Sequence, residues 1–461
     1  MNLAYRFPVI IWNCACLIAD SGGAEVEEES SYEEIIIEDE VEEEEDKKKR
    51  ARSTDYKKIA TAIGKMQQAG ISIKPPDINN SSYTFTPDVK ANEIIFGLSG
   101  ILNVGEDIIS ATIKNRPYSS PKDYYEKVQP KKTSMVALIK AGAFDTMMDR
   151  KLCLGWYLWE TCDRKQRLTL QNMPSLIKYD LIPKEEKYSI PMRVYEFNRY
   201  LKYLTKQDPA AYDEYYTLDA RAVEFLTEIG KENLITSDNL AWFVSRKNWD
   251  KLYDSYMDIF RSWLAENKNR VLDDLNRRIF KEEWDKYGKG TISAWEMEVL
   301  CYYYHEHELA HLNLNKYGIV EFSSLSEEPI VEKTIYKGGK TINLFKLDKI
   351  AGTCIAKDKA KGTVTLLTTS GVVNVKMRKE YFAIFDKQIS DVGEDGKKSI
   401  KEKSWFNRGN MLIVHGMRSG DEFMCKKYAS SASHQLYRIT KLNEDGTVEL
   451  TNERYQGGIN D

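Results

Sequence analysis

The residues with the most obvious chemistry are three histidines, His305-x-His307-x-x-x-His311, with Glu306 and Glu308 beside them. On a helix, His307 and His311 share a face, the i, i+4 geometry used by zinc sites. HExxH is not present and no fourth-ligand cluster lies nearby, so the same spacing also fits a polar, partly buried helix end; no metal site is assigned. Two-metal phosphoryl transfer needs carboxylates that converge on the cations. No Asp-x-Asp occurs in the 461 residues. Asp273 and Asp274 are adjacent on a predicted helix and point about 100° apart. GxxxxGK[ST], GxGxxG and GxSxG are all absent, and Lys337-Gly338-Gly339-Lys340 reads as a turn. Nucleophilic hydrolysis and nucleotide-cofactor chemistry have no support, and no cofactor is expected in this chain.

What remains is binding. Residues 92–145 read as two helix–hairpin–helix units in tandem. The first hairpin, Leu102-Asn103-Val104-Gly105, precedes the periodic run Ile108, Ile109, Ile113. A hairpin this tight needs residues that tolerate positive φ, and Asn103 and Gly105 are suitable types. Glu106 and Asp107 suit the positive end of the following helix, whose outward amides can hold a phosphate. Lys114 and Arg116 lie two to three turns on. The second unit has Met135, Val136, Leu138 and Ile139 as its apolar residues, with Lys140 near its end and Gly142 as the break before Phe144. The residues expected on a duplex backbone are Asn103, Val104, Gly105, Lys114, Arg116, Lys140 and Gly142. A small helical packing module would carry the same spacing.

Three blocks carry a family resemblance: AGISIKPPDINNSSYTF at 69–85, IIFGLSGILNVGEDIISATIKNR at 94–116, and LIKAGAFD at 138–145. In this order they resemble the bacterial DNA polymerase III alpha subunit, the C-family replicative DNA polymerase, just after its fingers. YRFPVIIWNCACLIADSG at 5–22 resembles the late fingers, and SAWEMEVLCYYYHEHELAHLN at 293–313 resembles a segment further on, with His307 where the family has its single histidine. The resemblance implies the C-terminal part of such an enzyme, in phage style a split polymerase chain. It implies hairpins gripping duplex DNA, an OB domain near single-stranded template, and a catalytic palm with its magnesium on a second polypeptide. It also implies a sliding-clamp peptide, loosely matched by Gln166, Leu168 and Leu170 without a terminal aromatic. A stand-alone DNA-binding accessory protein and a replisome adaptor remain open beside it. A stable monomer that covers its own N-terminal helix would mark the accessory protein.

Length, charge and patterning fit that picture. Residues 25–52 hold 14 acidic and 5 basic side chains, an acidic low-complexity tract with a basic end. Removing that local balance of −9 from the total of −4 leaves +5 for the rest, compatible with a polyanionic partner. Seven cysteines without a CxxC pair argue against a disulfide framework and for a reducing cytoplasm, which the resemblance implies is that of a bacterial or phage-infected cell. The apolar run 7–19 is too short to span a bilayer, and no membrane partner is expected. Ile10, Ile11, Trp12 and Leu17 predict an exposed apolar helix that awaits a partner surface.

The expected fold is α+β and multidomain: a mainly helical N-terminal two-thirds with the tandem hairpins, then a β-barrel OB-fold. Its parts are the end of the fingers with the acidic insertion (1–56), the hairpin region (57–150), a helical connecting region (151–335), the OB-fold (340–445) and a tail (446–461). Tyr83-Thr84-Phe85 reads as a strand, and apolar spacings from Trp249 to Tyr287 define one buried helical face. Strands at 350–357, 362–369, 371–378, 410–417 and 422–427, with a helix at 379–385, give the barrel pattern. Lys361, Lys376, Arg378, Trp405, Phe406 and Arg408, basic residues interleaved with aromatics, are what a single-strand groove uses. Barrels of this kind also dock proteins.

Overall fold

The structure, a computed structural model, describes residues 8–20, 56–68, 70–207, 214–238, 241–392, 398–428 and 434–454. The acidic tract at 25–52 lies outside them. One compact unit combines the residues up to 154 with those from 290 onward; residues 155–289 form the other.

In the first unit, helix α1 (Val9–Asp20) buries Ile10, Cys14 and Leu17, and α2 (Tyr56–Gln68) buries Ile59, Ile63 and Met66. Both stripes have the three- and four-residue spacing of one helical face. The helices pack on each other and α1 reaches a small sheet. The N-terminal helix is therefore covered on one side by its own chain, where the sequence predicts a bare helix; Val9 and Trp12 stay outside. In that sheet β3 (Glu93–Ile95) lies between β1 (Ser72–Lys74), to which it is parallel, and β2 (Thr86–Asp88). Pro75 and Pro76 stop β1, because neither can donate to a ladder. Tyr83-Thr84-Phe85 is not a strand. Its backbone is taken by a 3-10 turn at Leu98–Gly100, with Leu98 N donating to Ser82 O at 3.1 Å and Ser99 N to Tyr83 O at 3.0 Å. Gly97 sits so close to the Thr84 backbone that a side chain there would collide with it.

The hairpin region follows as α3 (Glu106–Lys114), α4 (Pro121–Val128) and α5 (Lys132–Ala141), then α6 (Arg150–Thr161). The leading helix of the first hairpin is only that single 3-10 turn.

The second unit holds α7 (Met173–Lys178), α8 (Ser189–Gln207), α9 (Ala220–Glu228), α10 (Arg246–Glu266) and α11 (Lys268–Tyr287). The expected single helical stretch from Trp249 to Tyr287 is two helices. Asn267 ends the first by donating both its backbone N and its Nδ2 to Trp263 O, each at 3.0 Å. Phe260, Trp263 and Leu264 before the break share a core with Val271, Leu275 and Ile279 after it. A three-stranded sheet, β4 (Tyr215–Leu218), β5 (Ile235–Ser237) and β6 (Trp242–Ser245) with β6 central, interrupts the expected helical region. It packs with α8, where Trp249 Nε1 donates to Asn198 Oδ1 at 3.0 Å.

Returning to the first unit, α12 (Ile292–Leu300) and α13 (Leu314–Tyr317) precede a two-stranded ribbon, β7 (Val331–Lys337) and β8 (Lys340–Phe345). Gly338 and Gly339, both at positive φ, make the ribbon's turn. The barrel strands are β9 (Asp348–Asp358), β10 (Thr363–Thr368), β11 (Gly371–Lys376), β14 (Met411–Ser419) and β15 (Glu422–Cys425). β9 pairs with both β10 and β14, β11 runs parallel to β15, and β15 returns to β14, so the sheet closes. Helix α14 (Lys379–Asp386) lies between the third and fourth barrel strands in sequence, followed by the hairpin β12 (Ile389–Val392) and β13 (Lys398–Glu402). A closed five-stranded barrel with this helix is the expected OB-fold. β16 (Leu436–Leu442) and β17 (Val448–Thr451) extend it beyond β14. β10 is buried along its whole length because Met297 and Tyr303 cover the outside of the barrel against Ile355 and Leu367.

Candidate nucleic-acid interface

The first hairpin is built as its residue types predict at Asn103, which adopts φ 66°. Gly105 differs: its backbone is extended and it is the N-cap of α3. Val104 is half-buried, its N donating to Ile101 O at 3.4 Å. Leu102 N donates to Val299 O at 2.8 Å and fixes the hairpin's root on α12. Asn103, Gly105, Glu106 and Asp107 are exposed. The first amides of α3 have no carbonyl partner within their helix.

The second hairpin turns at Gln129, in the left-handed region at φ 48°, followed by buried Pro130 and exposed Lys131. Ser120 caps α4 by accepting from Asp123 N at 3.1 Å, with Pro121 in the first turn. α5 begins at Lys132, and its Ser134 Oγ donates to Asn103 O at 2.8 Å. That bond brings the start of α5 to the first hairpin, so the N-termini of α3 and α5 converge. Lys131 lies at this junction and Lys114 in the last turn of α3; both are exposed, with no carboxylate partner among the described residues. Sequence reasoning missed Lys131, whose signal is a Pro-Lys-Lys run just before the buried helix.

Three expected contacts belong instead to the scaffold. Arg116 is half-buried, and its Nε donates to Ile78 O at 2.8 Å and its Nη2 to Ser81 O at 2.5 Å. Burial lowers its pKa, and its donors hold the 78–81 loop. Lys140 is 3% exposed and paired with Glu298 at 2.5 Å. Gly142, at φ 87°, ends α5, and Asp145 and Arg150 fill the space a side chain would need. Arg150 itself is buried. It donates to Asp145, to Lys140 O at 3.0 Å and to Glu296 Oε1 at 2.9 Å. Burial disfavours its charge, but the two carboxylates outweigh that and raise its pKa. Glu296, fully buried, also accepts from Tyr304 N and His305 N at 2.9 Å each.

The histidine segment is not helical, so His307 and His311 do not share a helix face. His307 Nε2 lies 3.0 Å from Leu367 O, and its Nδ1 accepts from Leu309 N at 3.0 Å. Burial pushes its pKa down to about 4, leaving it a neutral packing residue at pH 7. His305 Nδ1 contacts Glu296 and His311 Nε2 contacts Glu306. Among the described residues no three His, Cys, Asp or Glu side chains are grouped to hold a metal ion. With no Asp-x-Asp in the sequence, the residues present do not fit a two-magnesium polymerase centre.

On the barrel, Trp405 and Phe406 are not stacking platforms. They are 0% and 1% exposed, packed with Phe382 and Phe385 in the barrel core, and Trp405 Nε1 donates to Glu402 Oε1 at 2.6 Å. Lys361 lies 3.7 Å from Asp358 and Lys376 3.9 Å from Glu422; Arg378 and Arg408 are exposed. The proposed clamp peptide is also tied up. Gln166 is exposed, but Leu168 is buried and Leu170 packs on the second unit's core, while Thr169 and Asn172 form a capping box.

The chain has relatives. The family described as "Helix-hairpin-helix motif" matches residues 70–152. "Probable DNA polymerase YorL" of Bacillus subtilis (strain 168) is 35% identical over 463 positions, covering 98% of this chain and 34% of that protein. "DNA-directed DNA polymerase" of Bacillus phage SPbeta gives the same values. "DNA polymerase III subunit alpha" of Thermus aquaticus is 36% identical over 108 positions, 22% of this chain and 9% of that protein. The chain thus spans about a third of the length of the first two. No helix among the described residues is long and apolar enough to cross a membrane.

Proposed function

We propose, for a chain related to DNA polymerases along nearly its whole length, that its tandem hairpins hold the sugar-phosphate backbone of duplex DNA during replication. The observation that carries this reading is the Ser134–Asn103 bond, which joins two helix N-termini with Lys131 at their junction. Outward amides and unpaired lysines recognise phosphate without reading base sequence. Catalysis then lies on residues outside this sequence. We assign it to a second polypeptide that carries the palm carboxylates and their magnesium.

Fluorescence anisotropy of a labelled duplex, titrated across salt concentrations, tests the grip. Lys114→Gln/Lys131→Gln weakens binding and flattens the salt dependence by about 0.9 in log–log slope per lost phosphate contact. Gly105→Val, which the extended backbone admits once the Asp107 carboxylate swings aside, shields the hairpin tip and weakens binding further. Unchanged affinity in both variants would mean that the hairpins serve packing alone.

The accessory-protein reading has one observation in its favour, the cover that α2 and the first sheet give to α1. Primer extension separates the two. The 461-residue chain alone incorporates no nucleotide in either case, but a palm-bearing polypeptide gains processivity from it only under the polymerase reading. Incorporation by the chain alone contradicts both.

A further inference from the structure

The barrel carries an open crevice of about 560 Å³ between α14 and the end of β15. Arg378, Lys426 and Lys427 bring three cations to it, and none has a carboxylate partner among the described residues. Tyr381, Ile384 and Tyr428 supply flat and apolar surface between them.

The rings are held in place. Phe345 N donates to the Tyr428 hydroxyl at 2.6 Å, and Lys426 Nζ stands 5.2 Å from the centroids of both the Phe345 and Tyr428 rings. Tyr381 packs 4.9 Å from Phe385, with the barrel core behind it. Burial raises the Tyr381 hydroxyl well above its ordinary pKa, so it remains a donor. Fixed rings stack on a base at little entropic cost. A phosphate answers the cations through charge-assisted hydrogen bonds. Glu380, the one acid among the described residues lining the crevice, suits the N–H groups of a base or a sugar hydroxyl, a combination that a bare polyanion or an acidic peptide would not use.

We propose that this crevice binds one phosphorylated nucleoside, either free or as the 5′-phosphorylated end of a strand. The volume lies within the range of small-ligand pockets and suits one nucleotide better than a run of them. The site shares no residue with the hairpins.

Calorimetric titration of the full chain with dAMP, deoxyadenosine and inorganic phosphate tests it. Saturable one-to-one binding of dAMP is expected, with deoxyadenosine and phosphate each weaker by about tenfold or more. Lys426→Gln/Lys427→Gln lowers dAMP affinity by about tenfold, and Arg378→Gln does so independently, while duplex affinity at the hairpins stays unchanged. Loss of duplex binding in Lys114→Gln/Lys131→Gln leaves dAMP binding intact, so the two readings fail separately. A 5′-phosphorylated oligothymidylate that binds about tenfold tighter than dAMP identifies a strand end as the source; the reverse order identifies the free nucleotide. No saturation with dAMP, equal binding of deoxyadenosine, equal binding of the unphosphorylated oligothymidylate, or unchanged affinity in the variants overturns the proposal.

Discussion

Glu296→Gln lowers the unfolding free energy of the discontinuous unit by about 3–5 kcal/mol, the loss expected when one partner of a buried ion pair is removed. Glutamine keeps the shape and still offers a carbonyl to Tyr304 N and His305 N, so the change isolates the charge. Arg150 then keeps the Lys140 carbonyl and a single carboxylate, Asp145, whose side chain is one-third exposed, against the burial of its own guanidinium. Domain stabilities are about 5–15 kcal/mol in total, so the loss is a large fraction of what holds the unit together. Urea unfolding followed by tryptophan fluorescence, which Trp295 next to Glu296 reports, checks it. A change below about 1 kcal/mol, the scale of exposed pairs, would mean that the pair contributes no more than a surface contact.

Trp405→Ala has a comparable effect on the barrel, a destabilisation of about 3–5 kcal/mol from lost burial and the cavity left behind. The indole is fully buried against Phe385, and its Nε1 has Glu402 as acceptor. Were Trp405 a platform for bases, the substitution would cost about 1–3 kcal/mol in single-strand affinity and little in stability. A thermal scan with near-ultraviolet circular dichroism decides between them. Retention of the wild-type melting temperature would return Trp405 to the surface.

What the sequence reveals here follows the range of the forces involved. The barrel is legible because its elements advertise themselves locally: apolar strand runs at 371–378 and 410–417 and a short helix at 379–385 between them need no distant information, and the structure places them at 371–376, 411–419 and 379–386. Asn103 is legible for the same reason, since a tight turn selects its residue types. Lys140 is not, because the carboxylate that neutralises it, Glu298, is 158 residues away. Nor are Trp405 and Phe406. An aromatic between basic residues has the same composition whether its ring faces water or core, and only closure of the barrel decides. Arg116 misleads in a similar way, its guanidinium being satisfied by carbonyls of a loop that precedes it by 35 and 38 residues. The short strands β4, β5 and β6 carry too few residues to impose a period on the helical pattern around them.

The chain leaves the first unit near residue 154 and re-enters it near residue 290. Arg150 with Glu296, Lys140 with Glu298 and Leu102 with Val299 stitch the two sides of that gap together. Once such a seam exists, the length of whatever is threaded between its ends matters little, because each doubling of a closed loop adds only about 0.6 kcal/mol of closure entropy. Residues 155–289 therefore occupy a position where a lineage can lengthen, shorten or exchange a whole module without unravelling its host, a built-in docking bay for evolutionary cargo.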